Sequence, residues 1–187
     1  TVQEEPVPFT YRVLPGAGRP RSVSVIVDGG TDGPDPSHRE ELRRALSGAA
    51  VETIPCDQPG PTAADRNEAA RRATGELLLF LAPDAVPLSD DALGILASYL
   101  ERPEVGVVGP HLMYPDGQQQ GSGLVVRSDG GITSMGQGLP AWDGGYNGRA
   151  HRPCNWTAVS WAAQMVRRED FLALGGYETC YDGMEYA

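Results

Sequence analysis

The sequence predicts an α/β protein whose sheet is mostly parallel and is covered by helices on both faces. In the first half of the chain, short apolar strands alternate with amphipathic helices, which is the pattern of βαβ units. One of these strands, Leu77–Leu81, is apolar at every position, so both of its faces must be buried. A length of 187 residues suits one domain with an additional arm.

Composition excludes several kinds of partner. The formal net charge of −10 argues against nucleic acid and against an anionic membrane surface. The sequence has neither an apolar run long enough to span a membrane nor the regions of a signal peptide. The sequence shows no metal-ligand spacing among its cysteines, Cys56, Cys154 and Cys180, or among its histidines, His38, His111 and His151. Each histidine is therefore expected to have a structural role. Scattered thiols indicate a reducing compartment, so we expect a cytoplasmic location, directly or at the inner face of the membrane through other parts of a larger protein.

The first elements are predicted from local pattern. Proline and acidic residues without periodicity predict an arm or linker over 1–20. The β-branched run Ser22–Val27 predicts a strand, the first that the pattern indicates clearly, and a glycine-rich acidic loop follows over 28–34. A helix over 37–47 and a weaker strand over 51–54 come next.

The stretch from Thr62 to Asp84 is the most informative part of the chain. Thr62 is an expected helix N-cap, and Asp65 stands three residues later in the capping-box position. Gly75 stands where a glycine commonly ends a helix. The apolar strand Leu77–Leu81 follows. Asp84 lies beyond its carboxyl end, where open α/β sheets bind their ligands.

A further helix and strand extend the alternation. Ser89 is expected to cap the helix, with Asp90 and Asp91 in its first turn, where carboxylates suit the helix dipole. Residues 105–109 then predict another buried strand. Consecutive units of this kind predict a mostly parallel sheet with right-handed crossovers.

The second half changes to short strands and glycine-rich loops. Residues 111–114 and 123–127 predict a hairpin about a turn at 115–117. The sequence then predicts an irregular loop over 136–150, a strand within 156–167 that enters the core, and a helix over 168–174 ended by Gly175 and Gly176.

Four parts of the sequence form an ordered set: 66–84, 107–123, 166–177 and Glu185. The set resembles the family 2 nucleotide-sugar glycosyltransferases, and most closely their rhamnosyltransferase-like members. The resemblance implies a GT-A fold, in which a Rossmann-like, mostly parallel sheet is flanked by helices and a smaller irregular and antiparallel region forms the acceptor side.

This family architecture also implies how the chain is divided. The arm covers 1–20, a nucleotide-sugar-binding α/β half covers 21–110, and an acceptor-side half covers 111–187. The sequence stops at Ala187, two residues after Glu185, without a further element, so we expect this last half to be truncated at its C-terminus.

The resemblance also implies an activity, that of an inverting hexosyltransferase or related glycosyltransferase. In the family, a sugar passes from a nucleoside-diphosphate sugar to an acceptor hydroxyl. A carboxylate takes the proton of that hydroxyl. Mg²⁺ or Mn²⁺, held by one or two carboxylates and by the phosphates, neutralises the diphosphate. We expect the acceptor to be a glycan or glycoconjugate, in the assembly of a polysaccharide.

The donor-binding positions of the family map onto this chain residue by residue. Asp84 matches the last Asp of the Asp-x-Asp motif, which binds the metal and the donor. Ala82 stands at the first position of that motif, so the implied metal site lacks one carboxylate. Arg66 matches an arginine that approaches the nucleotide, and Asn67 is expected to be structural.

Two aspartates are alternatives for recognising the nucleobase. In the family, an Asp at the end of the second strand does this and precedes a Gly-Ser-Thr-Asp-Gly-like turn. Asp28 with residues 29–33 resembles this pattern and is preferred; the first strand is then missing or replaced by residues 11–14. If Ser22–Val27 is instead the first strand, Asp57 recognises the base.

Glu185 is the candidate catalytic base. It matches the Glu of the family's Glu-Asp pair, whose Asp is the usual base, but Tyr186 stands at that Asp position. A phenol with a pKa of about 10 is a poor base at neutral pH. The carboxylate of Glu185 is therefore expected to take the role.

Aromatic residues are the candidates for acceptor binding, because aromatic faces stack on sugar rings and the family's acceptor region lies in this part of the chain. These candidates are Trp142, Tyr146 and Trp156. Trp161, by contrast, is expected to pack in the core.

A second functional hypothesis belongs to a different class. In it, the domain keeps the fold but has lost the chemistry, and serves as a binding or assembly module within a larger glycan-building protein. Ala82, Tyr186 and the shortened first half favour this alternative. Metal-linked binding of a donor distinguishes the two, because only the active domain requires it.

Overall fold

The computed structural model describes residues 2–4, 11–13, 22–28, 36–45, 49–56 and 62–181. Its strands are β1 (Val2–Glu4), β2 (Tyr11–Val13), β3 (Ser22–Val27), β4 (Ala50–Pro55), β5 (Leu77–Leu81), β6 (Val107–Val108), β7 (Leu112–Met113), β8 (Gln119–Gly121), β9 (Leu124–Val126), β10 (Ile132–Ser134) and β11 (Ala163–Arg167). Its α-helices are α1 (Pro36–Ala45), α2 (Ala63–Arg72), α3 (Ala92–Tyr99) and α4 (Arg168–Ala173), with short 3-10 helices at Tyr146–His151 and Thr179–Tyr181.

Within the described residues, the central sheet has five strands in the order β4-β3-β5-β11-β6. Strand β3 pairs in parallel with both β4 and β5. Strand β11 is antiparallel to β5 on one side and to β6 on the other. Since β11 alone runs against the others, the predicted α/β fold with a mostly parallel sheet is confirmed. The sequence did not predict the order of the strands, in which β11 from the second half of the chain lies between β5 and β6.

The prediction of a buried strand over 105–109 is wrong about both the length and the burial of that strand. Only Val107 and Val108 form β6, and Val107 is 42% exposed. The physical reason for the short length and the exposure of β6 is its position in the sheet. Strand β6 is last in the sheet order and pairs on one side only, with β11, so burial from a second neighbour is missing.

Helices cover both faces of the sheet. On one face, Leu79 shares an apolar cluster with Leu42 of α1 and Leu96 of α3. On the other face, Phe80 packs in a second cluster with Phe171 of α4 and with the alanines of α2. Alternate residues of β5 therefore enter different layers, and the predicted burial of this strand on both faces is confirmed.

Helix α2 begins as the sequence predicts but ends differently. Thr62 is the N-cap and forms the predicted capping box with Asp65. The C-cap is Ala73, in an extended conformation, so Gly75 does not end the helix. A Cβ built on Gly75 would lie 2.6 Å from the backbone nitrogen of Ser24. Gly75 is therefore required by close packing of the α2–β5 connection on β3.

Two details near α3 and α4 complete the comparison. Helix α3 begins at Ala92 with Asp91 as N-cap, and Ser89 donates a hydrogen bond of 2.8 Å to the Asp91 carboxylate, so the predicted cap is wrong. Helix α4 is followed by Gly175 and Gly176 with φ of 87° and 84°. These left-handed conformations favour glycine, and the predicted end of α4 is confirmed.

The second half contains two small antiparallel sheets, one of β7 with β8 and one of β9 with β10. A hairpin pairing 111–114 with 123–127 was expected. Instead, β7 pairs with β8, and β9 pairs with β10 across the turn at 127–131. The turn at 115–117 was placed correctly, but the partner of β7 is a polar strand, Gln119–Gly121. Gln119 is fully buried, and its side-chain amide donates to the carbonyl oxygens of Pro140 at 2.9 Å and Asp143 at 2.5 Å, so a polar residue is accommodated where the pattern predicts an apolar one.

Strands β1 and β2 of the arm pair with each other, antiparallel. Residues Tyr11–Val13 therefore do not supply a strand of the central sheet. Among the helices that the structure describes, none has the length and apolar character required to cross a membrane.

Candidate functional site

Three parallel strands end at the same edge of the sheet, which we call the carboxyl edge. The register places Val27 beside both Pro55 and Leu81, the last residues of β4 and β5. The Asp28 N–H donates to the carbonyl oxygen of Leu81 at 3.2 Å, and the Cys56 N–H donates to that of Val27 at 3.0 Å. The residues that follow β3, β4 and β5 therefore meet at the position where open α/β sheets bind ligands.

Asp28 and Arg66 form a bidentate ion pair at the carboxyl edge. Arg66 Nε donates to Asp28 Oδ1 at 3.2 Å, and Nη2 donates to Oδ2 at 2.5 Å. The Asp28 side chain is only 8% exposed and that of Arg66 is 20% exposed. Burying such a pair costs desolvation energy, and perturbed charges of this kind concentrate at functional sites. The sequence predicted both residues for the donor site, but it did not predict that they pair.

Burial and the charges of the ion pair shift two pKa values at the carboxyl edge. Burial by itself lowers the pKa of Arg66, but the hydrogen bonds and charge of Asp28 outweigh it and raise this pKa. Burial, followed by the charge of Asp28, raises the pKa of the Cys56 thiol to about 11. Arg66 is therefore a permanent cation, and Cys56 is an uncharged thiol at neutral pH that is unsuited to act as a nucleophile.

Tyr177 packs against the apolar cluster beneath α2, the helix that carries Arg66. Its ring packs on those of Phe80 and Phe171, with centroid distances of 5.1 Å to each. Burial raises the pKa of the Tyr177 phenol, whose oxygen accepts a hydrogen bond from Gln164. Asn67 exchanges two hydrogen bonds of 2.8 Å with the Tyr177 backbone. The expected structural role of Asn67 is thus confirmed, since it ties the segment after α4 to α2.

Trp161 lies at the carboxyl edge, so its predicted place in the core is wrong. The Ala82 N–H donates to the carbonyl oxygen of Ala162 at 2.8 Å, which joins the start of β11 to the end of β5. Trp161 is 48% exposed, and Cζ of Arg66 lies 5.5 Å from its ring centroid. The sequence missed this placement because it gave no direction for β11. An antiparallel strand brings its first residues to the carboxyl edge.

Asp84 lies in a turn at the same edge, closed by a hydrogen bond of 3.1 Å from the Ala85 N–H to the carbonyl oxygen of Ala82. Its side chain is exposed, whereas Ala82 is buried. Within the described part of the chain, no group of three or more His, Cys, Asp or Glu side chains is placed to hold a metal. Asp84 offers one carboxylate, which suits Mg²⁺ or Mn²⁺ when phosphates and water complete the coordination.

Two predicted site residues, Asp57 and Glu185, lie outside the described residues, as does Tyr186. Asp57 directly follows Cys56 at the end of β4. Strand β4 lies beside β3, so the sheet order is compatible with either aspartate as the residue that recognises the base. The roles of Asp57 and Glu185 stay predictions.

The predicted acceptor-binding aromatics fall into two groups. Trp142 and Tyr146, between β10 and β11, are 79% and 76% exposed. Trp156 is engaged by the protein: Cζ of Arg149 lies 4.7 Å from its ring centroid, and a Cβ on Gly123 would lie 2.2 Å from its Cγ. Trp142 and Tyr146 therefore offer open aromatic surface to a ligand, whereas Trp156 is held by contacts within the fold.

His111 and His151 lie near each other, with ring centroids 6.2 Å apart, although their spacing in the sequence gives no sign of this. Burial, followed by the charge of His151, lowers the pKa of His111. His151 Nε2 lies 2.9 Å from the carbonyl oxygen of Ala141. These contacts fit the structural role expected for both residues.

A cavity of about 540 Å³ lies at the opposite, amino edge of the sheet, lined by the start of β5, the end of β11 and α3. Its Arg167 donates to Asp170 Oδ2 at 2.5 Å and to the carbonyl oxygens of Leu100 at 2.6 Å and Val105 at 2.7 Å. Through these hydrogen bonds, the Arg167 guanidinium connects β11 and α4 to the end of α3 and to the segment that follows it. The cavity contains none of the predicted site residues, so we place the functional site at the carboxyl edge.

The chain matches one family model and two curated proteins. Residues 22–173 match the model described as glycosyl transferase family 2. The O-antigen biosynthesis protein RfbC of Myxococcus xanthus is 39% identical over 65% of this chain, which covers 10% of that protein. The protein y4gI of Sinorhizobium fredii is 28% identical over 91% of this chain, which covers 22% of that protein. The chain therefore spans only a small part of the length of these relatives.

Among solved structures, one similar chain is the mannosyltransferase PcManGT from Pyrobaculum calidifontis, in complex with GDP-Man and Mn²⁺. It is 19% identical, with a TM-score of 0.49, and the match covers 89% of this chain and 50% of that one. A likeness at this level carries no conclusion about ligands.

Proposed function

The chain belongs to glycosyl transferase family 2, and from this premise we propose that it binds a nucleoside-diphosphate sugar at the carboxyl edge and transfers the sugar to an acceptor hydroxyl with inversion. The observation that carries the proposal is the bidentate pair of Asp28 and Arg66 at the end of the central parallel strands. The likeness to an O-antigen biosynthesis protein supports a place in polysaccharide or glycoconjugate assembly.

The pair leaves binding capacity for a donor on both of its members. A guanidinium has five N–H donors, and the bonds to Asp28 use two of them. The remaining N–H groups of Arg66 suit the oxygens of a diphosphate. Each carboxylate oxygen of Asp28 keeps a lone pair that can accept an N–H of a nucleobase. Asp28 and Arg66 thus form one recognition unit, and Asp57 is the alternative for the base.

Asp84 would hold a divalent metal at this edge. Its exposed carboxylate is one hard oxygen donor, the ligand type that Mg²⁺ and Mn²⁺ prefer. When bound, the metal neutralises the charge of the diphosphate as it leaves. Ala82 contributes no ligand, so metal affinity depends on the donor's own phosphates.

The transfer requires a base on the acceptor side. We assign this role to Glu185, which removes the acceptor hydroxyl proton as the oxygen bonds to the anomeric carbon and the bond from that carbon to the diphosphate breaks.

The proposed contacts to a glycan acceptor are the exposed Trp142 and Tyr146, with the more enclosed Trp156. A rhamnosyltransferase-like specificity stays a prediction.

The alternative is a binding or assembly module of the same fold without chemistry. The observation that favours it is Ala82, which is buried and lies where the family uses a polar metal ligand. Such a module binds no donor in a metal-linked manner.

Titration calorimetry tests the proposal. UDP, GDP and dTDP, and one sugar nucleotide of each, would be titrated into the chain with and without Mn²⁺. We expect one base to be preferred and Mn²⁺ to strengthen its binding. Absence of heat with every ligand, in the presence of Mn²⁺, would contradict the enzyme and leave the module.

Asp84→Asn tests the metal site separately. We expect the variant to lose the strengthening of diphosphate binding by Mn²⁺ and to keep the metal-free affinity, because only the ligand carboxylate is removed. Glu104→Gln is the matched control, since Glu104 is an exposed carboxylate on the α3–β6 connection at the opposite edge of the sheet. Unchanged metal linkage in Asp84→Asn would show that Asp84 is not the ligand.

A further inference from the structure

We propose that Trp161 determines donor specificity by stacking its indole ring on the sugar ring of the bound donor. The inference rests on the proposed function, because it concerns the same site. It starts from a large aromatic side chain that is 48% exposed beside the ion pair of that site.

The position of Trp161 is fixed from two sides. Its backbone is held by the hydrogen bond of 2.8 Å between Ala82 and Ala162, at the junction of β5 and β11. Its ring is held by the guanidinium of Arg66 at 5.5 Å, and Asp28 in turn holds that guanidinium. A guanidinium within about 6 Å of an aromatic centroid is attracted to the ring, so this contact favours the observed position of the indole. The exposed remainder of the indole is therefore a preorganised surface.

The order of the strands places the exposed surface of Trp161 where the sugar of the bound donor would lie. Neighbouring strands are about 4.8 Å apart, so positions that follow β3 and β5 and precede β11 span about 10 Å along the carboxyl edge. Asp28, Asp84 and Trp161 occupy these positions in that order. A nucleoside-diphosphate sugar is likewise a linear series of base, diphosphate and sugar. With the base at Asp28 and the diphosphate at Arg66 and Asp84, the sugar lies at Trp161.

The chemistry of the ring suits this ligand. One face of a pyranose carries C–H groups, which are weakly positive, and the face of an indole carries the negative part of its quadrupole. Contact between them buries apolar surface without leaving a hydroxyl unpaired. Arg66 then has two functions, since it supports the indole and also donates to the neighbouring diphosphate.

The test compares sugar nucleotides with the matching diphosphates. UDP-glucose with UDP, GDP-mannose with GDP, and dTDP-rhamnose with dTDP would be titrated into Trp161→Leu with Mn²⁺ present. For the preferred donor, we expect the affinity of the sugar nucleotide to fall about tenfold relative to that of its diphosphate, the order of a well-packed aromatic contact. Trp161→Phe keeps an aromatic face, so it should retain most of this ratio.

Tyr99→Leu is the matched control, because Tyr99 carries the same kind of contact, with Cζ of Arg102 5.5 Å from its ring centroid, at the end of α3. It should leave the ratio unchanged. If Trp161→Leu weakens the diphosphate and the sugar nucleotide equally, the ring serves the base or Arg66, and the inference is overturned. An unchanged affinity for both ligands overturns it as well. If the unaltered chain binds no nucleotide, the proposed function itself fails.

Discussion

At the scale of single residues, close contacts explain why position 75 requires glycine. A Cβ at this position would lie 2.6 Å from the backbone nitrogen and from the hydroxyl oxygen of Ser24, and 2.9 Å from the carbonyl carbon of Val23. The Gly75 N–H itself donates to Ser24 Oγ at 2.8 Å. The connection from α2 to β5 is therefore pressed against the backbone of β3. A glycine that looked like a helix stop in the sequence is a packing requirement in the fold.

We expect Gly75→Ala to lower the free energy of unfolding by about 2 kcal/mol, because the new methyl group meets backbone that cannot give way locally. Urea unfolding followed by circular dichroism measures this. Gly94→Ala is the control: Gly94 is exposed within α3, and its Cβ would meet only the Ala45 carbonyl oxygen at 4.0 Å. That change should stabilise by up to about 1 kcal/mol. Equal effects at both positions would refute the packing argument.

The contact between Asp28 and Arg66 is a second feature that tertiary packing explains and local sequence does not. The family resemblance assigned each residue separately to the proposed donor site. Their separation of 38 positions gives no hint of contact. Only the packing of α2 on the sheet brings the guanidinium onto the carboxylate, and that contact makes them a single unit.

At the scale of elements, α2 connects local sequence to the site. Its first turn is closed by a capping box in which the Asp65 N–H donates to Thr62 Oγ1 at 3.2 Å and the Thr62 N–H donates to the Asp65 carboxylate at 2.9 Å. Arg66 follows directly, with its N–H donating to the Thr62 carbonyl oxygen at 3.2 Å. The cap therefore sets the position from which Arg66 reaches Asp28.

Removing the cap should cost stability. We expect Thr62→Ala to lower the free energy of unfolding by about 1 kcal/mol, because it removes the hydroxyl that accepts from Asp65. Thr62→Ser keeps that hydroxyl and should be close to neutral. Both values come from chemical denaturation. A serine variant as unstable as the alanine variant would show that the methyl group of Thr62, and not its hydroxyl, is what matters.

At the scale of the whole molecule, Glu52 joins three elements at the amino edge of the sheet. From β4 its carboxylate accepts hydrogen bonds from Ser24 of β3, from the Thr74 N–H at 2.6 Å and hydroxyl at 2.9 Å, and from the Gly75 N–H at 3.1 Å. Burial by itself raises the pKa of Glu52, but these hydrogen bonds outweigh it and lower that pKa. The carboxylate form thus stabilises the folded state.

This gives a pH dependence with a definite sign. Because the pKa of Glu52 is lowered on folding, its contribution is present above the pKa of the unfolded chain and is lost as pH falls through the folded value. Glu52→Gln should therefore be less stable than the unaltered chain at neutral pH, and the gap should narrow below about pH 4. Urea unfolding across this range measures the gap. Glu104→Gln, an exposed surface change, should show no such trend. A gap independent of pH would contradict the assignment.

Short-range patterns in the sequence are sufficient to predict several local elements of this protein, and ordered motifs are sufficient to predict its family. The capping box of α2, the doubly buried strand β5 and the glycine pair after α4 follow from short-range rules of hydrogen bonding, burial and backbone conformation, and the structure has all of them. The ordered motifs indicated family 2, and the match over 22–173 confirms this.

Only the tertiary structure decided which elements became neighbours. Strand β11 enters between β5 and β6 and runs antiparallel, and this direction carries Trp161 to the carboxyl edge. The hairpin partner of β7 and the contact of Asp28 with Arg66 were decided in the same way. The physical reason is that strand order and direction depend on burial summed over the whole sheet. Local periodicity specifies which face of a strand is buried, but it does not specify which strand pairs with it or in which direction that strand runs.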